Sequence, residues 1–429
     1  MRKKDPQKSM WFSLIPGLGQ IRNGQKVKGI IFLVIFILFI IEMALFGDSA
    51  FKGLFTLGTR EGIDNSMFLM IEGTLQLLVT VVFLIFYFAN LFDAKSVAER
   101  INQGKHVTAT PKELGKSIVT TGFPYLLTLP AYLLMVFVII LPVLVTLFMA
   151  FTNYDFNHIP PAMLISWTGL KNFTDMFFLS SYRATFGAVF SWTLIWTLCA
   201  STLQIALGIF TAIVAHQDFI KFKKIFGIIF LLPWAVPAFV TIMSFSNIFN
   251  DSAGAINAQV IPFLNHFLIL KIPQISWTTD PFWTKVALIM IQGWLGFPYI
   301  YVLVTGILQS IPDDLYEAAT MDGATAIEKF NHITFPSILG VAAPTFITQY
   351  TFNFNNFSII YLFNDGGPGD VGAGGAGNTD ILISWIYKLT TGNTPQYGLA
   401  SAITLIISAI VIAVSLIVFK KTHAFDMEG

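Results

Sequence analysis

Apolar and polar residues alternate along this chain in long blocks. Eight apolar runs, at residues 30–46, 67–91, 124–151, 186–215, 225–249, 286–308, 338–363 and 399–419, are each close to or above the roughly 20 residues that cross a hydrocarbon core. Short polar connections separate them. Inside a bilayer each segment satisfies its own backbone groups only as a helix. The pattern therefore predicts an all-α integral membrane protein with eight transmembrane helices. No small-residue cleavage site trails the first run, so it reads as a retained helix and not a removed signal.

Composition agrees. Of 429 residues, 55% are hydrophobic and 11% charged, with 43 Phe, which excludes a water-exposed globular surface and leaves membrane lipid as the surrounding partner. A formal net charge of +1 gives no basis for binding nucleic acid. Distribution is the informative quantity: 18 of the 25 Lys and Arg fall in the N-terminal segment, residues 92–123, 216–224, 310–337 and the C-terminal end. By the positive-inside rule both termini are then cytoplasmic. The chain divides into a cytoplasmic N-terminal segment (1–28), two additional N-terminal transmembrane helices with a basic cytoplasmic linker (29–123), a six-helix core (124–420) and a cytoplasmic tail (421–429).

Several tempting motifs carry no chemistry. Cys199 lies within an apolar run and reads as packing. The histidines at 106, 158, 216, 266, 332 and 423 are too scattered to ligate a metal. TPKELGKS, Thr110 to Ser117, ends like a phosphate loop but lacks its first glycine, and no strand precedes it. GGPGDVGAGGAG, Gly366 to Gly377, has no lysine and reads as a flexible external loop.

One polar connection stands out. In EAATMDGATAIEKFNHITFP, Glu317 to Pro336, a helix begins at Pro312 with Asp313 and Asp314 at its positive end, and Gly323 supplies a left-handed stop. A second helix is expected from about Ala324 to His332, ending before Pro336 because the residue ahead of a proline avoids the helical region. Leu315, Ala318 and Ala319 form an apolar stripe beside Glu317. On shape alone this is an interfacial amphipathic hairpin.

Within the spans the polar signals are neutral. Glu42 and Glu72 occur in the first two, but the interiors of the remaining six hold no acid, which weighs against ion-coupled transport and against a charged substrate. Gln292, Gly296 and Tyr299 fall at i, i+4 and i+7 on one face, and Gln349, Asn353 and Asn356 repeat that spacing. In LPWAVPA, Pro233 and Pro237 break the backbone ladder, with Trp234 and Ala238 on one face. Amides at the edges and aromatic faces suit a hydroxyl-rich neutral ligand such as a sugar. Each amide taken singly could equally be a helix-to-helix bond.

The spacing Glu-Ala-Ala, three residues, Gly, nine residues, Ile, one residue, aliphatic or aromatic, Pro resembles the cytoplasmic signature of the permease subunits of binding-protein-dependent ABC importers. It is carried by Glu317, Ala318, Ala319, Gly323, Ile333 and Pro336, with Phe335 where the family usually has Leu. The resemblance implies the type I importer permease fold and makes the hairpin, 311–336, a coupling helix that docks on a separate ATPase subunit. FNFNNF, NDGGP, WLGFPY, LPWAVP and IPDDLYEA are similar to the larger, eight-span permease subunit of maltose and maltodextrin importers, over roughly residues 180 to 420. That implies a mid-membrane sugar site at Trp234, Ala238, Gln292, Leu295, Gly296, Tyr299, Gln349, Asn353 and Asn356. Trp234, Ala238, Gln292 and Gln349 stand where the family has Tyr, Ser, Asn and Ser, so a longer malto-oligosaccharide or related gluco-oligosaccharide is as well suited as maltose. The connection Thr152 to Thr185, 34 residues long, lacks the folded domain of enteric relatives.

By the same resemblance the partners are a second homologous permease, two ATPase subunits and an extracytoplasmic sugar-binding protein, in the bacterial cell membrane. The Gly366 to Gly377 loop and the 250–283 connection, with Trp277, Pro281 and Trp283, would receive the binding protein. This chain is no enzyme and holds no cofactor, ATP and Mg belonging to the ATPases. An ABC permease for another neutral sugar or polyol is the alternative.

Overall fold

A computed structural model describes residues 4–105, 107, 110–217, 219–268 and 271–422. His106, His423 and the tail beyond it lie outside the described residues. Among those described, the regular elements are helical, and the one extended pairing is an isolated bridge between Thr152 and Trp167. The chain forms two compact units, Met1–Leu170 and Lys171–Gly429.

In the first unit, α1 (Pro6–Phe12) and α2 (Leu18–Arg22) make a short hairpin ahead of α3 (Lys26–Glu42), which passes through a π turn at Met43–Gly47 into α4 (Asp48–Thr56). α5 (Ser66–Asn102) follows, then α6 (Pro111–Thr120), α7 (Phe123–Met135), a π turn at Val136–Ile140 and α8 (Leu141–Met149). Polar groups seat the hairpin on α5. Asn90 donates to the Ser13 carbonyl at 2.9 Å and accepts from the Gly17 N–H at 3.2 Å, and Lys28 meets Asp93 at 2.6 Å. The phosphate-loop lookalike is a helix start: Thr110 caps α6 in a reciprocal box with Glu113, and Gly115 to Ser117 are helical, so their N–H groups are committed within the helix.

The second unit runs α9 (Lys171–Phe178), α10 (Ser180–His216), α11 (Lys223–Phe230), α12 (Leu232–Ala235), α13 (Ala238–Ile248), α14 (Ile261–Phe267) and α15 (Pro281–Ser310), then α16 (Asp313–Met321), α17 (Ala326–Lys329), α18 (Phe335–Phe354), α19 (Phe357–Asn364), α20 (Leu382–Thr391) and α21 (Tyr397–Thr422). α10 and α15 lie against each other along the centre. Trp196, Leu288, Ile291 and Ile300 are buried there, each worth about 1.5–3 kcal/mol relative to exposure.

Among the described residues six helices are long and apolar enough to cross a membrane: Lys26–Thr56, Ser66–Asn102, Phe123–Met149, Ser180–His216, Pro281–Ser310 and Tyr397–Ile417. The fifth and seventh predicted spans are the broken ones, α11 to α13 and α18 to α19. Together these make the eight spans of a multi-pass membrane protein.

Three expectations change. The second arm of the hairpin does not stop before Pro336. α17 continues through a π turn at Phe330–Thr334 straight into α18, with Phe335 helical at φ −67°, ψ −42°. A proline in a helix clashes with the carbonyl four residues back, and the wider π turn directly ahead of the ring relieves that clash. Trp277 is no exposed anchor, since it is 6% exposed and packs edge-on against Phe249 at 5.0 Å. Cys199 is exposed on α10 and not packed inside.

Candidate functional site

The breaks in the two interrupted spans face one cavity of about 710 Å3. In α12, Pro233 occupies the first turn; the chain then unwinds at Val236 (φ −116°, ψ 138°) and Pro237 before α13 begins at Ala238. The first N–H groups of α13 therefore have no intrahelical acceptor at the cavity wall. α18 ends at Phe354, and Asn355 and Asn356 leave the helical path before α19.

Of the nine sugar-site residues read from the sequence, eight line this cavity: Trp234, Ala238, Gln292, Leu295, Gly296, Tyr299, Gln349 and Asn356. The ninth, Asn353, does not. It is fully buried one turn behind the wall. The helix break displaces Asn356 from the regular spacing and leaves Asn353 facing α10, where it donates to Ser201 Oγ at 2.9 Å and accepts from Asn356 Nδ2 at 3.4 Å.

The amides form a closed chain across three helices and the break after α18. Asn356 donates to Gln292 Oε1 at 3.0 Å, Gln292 to Gln204 Oε1 at 3.1 Å, and Gln204 to Gln349 Oε1 at 2.9 Å. Asn353 and Ser201 complete the circuit, Ser201 Oγ donating to the Gln349 carbonyl at 3.4 Å. The circuit leaves the Gln349 amide N–H groups and Asn356 Oδ1 without partners among the described residues, so donor and acceptor both remain for a ligand. The Trp234 and Tyr299 rings lie 6.2 Å apart at 37°, with 53% and 42% exposure. Among the described residues no charged side chain lines the cavity. It can hold a neutral, hydroxylated molecule between amide edges and aromatic faces.

Gln204 was not read from the sequence, and it is the hub. A signal existed: Thr193, Thr197, Ser201 and Gln204 recur at intervals of four, four and three along α10, a polar stripe on an apolar helix. Gly296 is what admits it. A Cβ at Gly296 would lie 2.0 Å from Gln204 Oε1. Gln204→Leu is expected to orphan the amides of Gln292 and Gln349, each a loss of about 1–3 kcal/mol if unsatisfied. The check is a lower thermal midpoint of the detergent-purified protein alongside lost ligand binding.

The hairpin lies at the other end of α15. Gly323 adopts φ +79°, the left-handed stop. Thr325 and Glu328 cap α17 reciprocally, and the Thr325 N–H holds the Glu328 carboxyl below its usual range. Lys329 Nζ to Thr320 Oγ1 at 2.6 Å and Tyr316 OH to Thr334 Oγ1 at 2.9 Å tie the arms together. Ile333 packs with Tyr316 against the bundle. Glu317, Ala318 and Pro336 are exposed and Ala319 half-buried. Large apolar side chains of the hairpin are exposed, Leu315 at 49%, Met321 at 88% and Ile327 at 71%.

Comparisons with known proteins find a matching family, close relatives and a shared fold. Residues 204–422 match the family described as binding-protein-dependent transport system inner membrane component. The maltodextrin transport system permease protein MdxF of Bacillus subtilis (strain 168) is 64% identical over 425 residues, 99% of this chain and 98% of the relative. The maltodextrin transport system permease protein MalC of Streptococcus pneumoniae serotype 4 (strain ATCC BAA-334 / TIGR4) is 62% identical over 429 residues, 100% of this chain and 98% of the relative. A crystal structure of a bacterial ABC transporter involved in import of the acidic polysaccharide alginate contains a chain of the same fold, with TM-score 0.60 and 19% identity, covering 73% of this chain and 99% of that one.

Proposed function

We propose that this chain, which belongs to the family of binding-protein-dependent transport system inner membrane components, is the larger permease subunit of an ATP-driven importer that carries maltodextrin-type oligosaccharides into the cytoplasm. The observation that carries the reading is the uncharged cavity, with its amide circuit and its Trp234–Tyr299 pair. Relatives above 60% identity over the whole chain, named as maltodextrin permeases, support the substrate class. Trp234, Ala238, Gln292, Leu295, Gly296, Tyr299, Gln349 and Asn356 contact the sugar. Asn353 holds Asn356 and Ser201 in register from behind.

The chain works with a second homologous permease, two ATPase subunits that bind ATP and Mg, and an extracytoplasmic binding protein. Its termini and the 311–336 hairpin are cytoplasmic, and residues 124–420 supply the six-helix permease core. Dimerisation of the ATPases on ATP moves the hairpin as a rigid body. That motion switches the cavity between inward-facing and outward-facing states. No covalent chemistry occurs in this chain.

The test is uptake of labelled maltotriose by cells producing the chain with its neighbouring subunits, with active or nucleotide-site-dead ATPase. Uptake is expected to require the ATPase and to fall on Tyr299→Ala. Uptake indifferent to the ATPase would return the case to a secondary transporter. Uptake of no maltodextrin would leave an ABC permease for another neutral sugar or polyol.

A further inference from the structure

α19 carries a second lining face beyond the amide circuit. Ser358 belongs to the first cavity, whereas Tyr361 and Asp365 line another of about 610 Å3, bounded by α20 and the turn into α21. Tyr361, three residues after Ser358, lies on the same side of the helix, and Asp365 caps its C-terminal end. At 1.5 Å per residue, Ser358 in the first cavity and Tyr361 in the second are about 5 Å apart along the helix.

The second cavity is built like a carbohydrate site. Tyr361 and Tyr387 meet edge to face, centroids 5.3 Å apart at 73°, and Phe357 backs them at 5.0 and 4.9 Å. Both tyrosines remain 38% exposed, so the cluster offers ring surface instead of being buried core. Facing it are the side chains of Asn393 and Thr394, which make no hydrogen bond among the described residues, and Gln396. Gln396 Oε1 accepts from Tyr182 OH at 2.7 Å, which leaves its amide N–H groups to donate.

Charge selects the class of ligand. The single lysine here, Lys388, is 2.7 Å from the fully buried Asp380 carboxylate and 3.9 Å from Asp365. Its charge is committed to those acids, so among the described residues the cavity has no free cation to attract an anion. A neutral ring with many hydroxyls fits both the aromatic wall and the amide rim.

We propose that this cavity is a second glycosyl subsite, holding the trailing end of an oligosaccharide whose leading units occupy the amide-lined cavity. The proposal rests on the oligosaccharide reading above. Its consequence is a dependence on chain length, because a short sugar fills the inner cavity without reaching Tyr361 and Tyr387.

The experiment uses the complete transporter in proteoliposomes, supplied with sugar-saturated binding protein, and compares labelled maltose with labelled maltoheptaose. Tyr361→Ala/Tyr387→Ala is expected to raise KM for maltoheptaose about fivefold, as the loss of aromatic contact allows, and to leave maltose within about twofold. Asn393→Ala, on an exposed turn where folding is not at stake, should shift in the same direction, and Tyr387→Phe should retain most of the heptaose affinity. Equal KM rises for both sugars, with weaker stimulation of the ATPase by binding protein, would make this a protein-docking face and overturn the subsite. So would no change for either sugar. Uptake of neither sugar by the unaltered transporter would instead overturn the substrate reading, and the subsite with it.

Discussion

A Gly296→Leu chain is expected to lose sugar uptake about a hundredfold while still inserting and assembling. The backbone of α15 leaves no alternative. Even the first carbon of a side chain at 296 would lie 2.0 Å from Gln204 Oε1 and 2.7 Å from its Cδ. Gln204 has nowhere to retreat, since Gln292 bonds it on one side at 3.1 Å and Gln349 on the other at 2.9 Å. Moving it breaks both bonds and strands the buried Gln292 and half-buried Gln349 amides, each costing up to about 1–3 kcal/mol. A total near 3 kcal/mol corresponds to roughly two decades in a binding or rate constant. Gly296→Ala should give a smaller loss in the same direction. The measurement is uptake at matched membrane abundance, with co-purification of the ATPase subunits as the assembly control. Uptake within about threefold of the unaltered protein, a difference under 1 kcal/mol, would remove the amide circuit from the transport mechanism.

That circuit also marks how far the residues could be read in advance. Gln292, Gly296 and Tyr299 sit on an unbroken helix, so their spacing alone put them on one wall. Gln349, Asn353 and Asn356 have the same spacing, yet the helix ends at Phe354. Periodicity assumes a continuous rod, and the unwinding at Asn355 sends Asn356 into the cavity and Asn353 behind it. The Pro233 and Pro237 break was legible because proline acts on its own backbone. Pro336 misled for a related reason: a π turn in the preceding residues absorbed its ring, and nothing in single-residue preference announces a π turn. Gln204 was passed over because a helix rich in apolar residues hides a stripe of Thr and Ser hydroxyls that mostly bond their own backbone, as Thr193 and Thr197 do at 2.7 Å. Only the partner helix reveals that Gln204 faces inward.

The second large effect belongs to the hairpin. Glu317→Lys/Gly323→Val is expected to reduce uptake to background, at least about a hundredfold, with sugar binding to the isolated permease unchanged. Two independent features combine. Gly323 is held at φ +79° with open space around it, so a valine there meets no neighbour; its difficulty is the left-handed backbone, disfavoured by about 1–2 kcal/mol for a residue with a Cβ. The link from α16 to α17 then shifts, and with it the exposed apolar side chains on its two arms, Leu315, Met321 and Ile327. Glu317 lies exposed on that same helix and makes no ion pair or hydrogen bond among the described residues. An unpartnered acid beside an exposed apolar stripe fits a basic residue in the groove of an ATPase, and reversing its sign converts attraction into repulsion at the rim of that contact. Glu317→Lys alone should therefore be rescued by an opposite charge reversal in the ATPase groove, whereas Gly323→Val should not. Loss of ATPase co-purification together with intact sugar binding is the expected pattern. Normal uptake by the double variant would detach the hairpin from energy coupling and leave it as a connector between two spans.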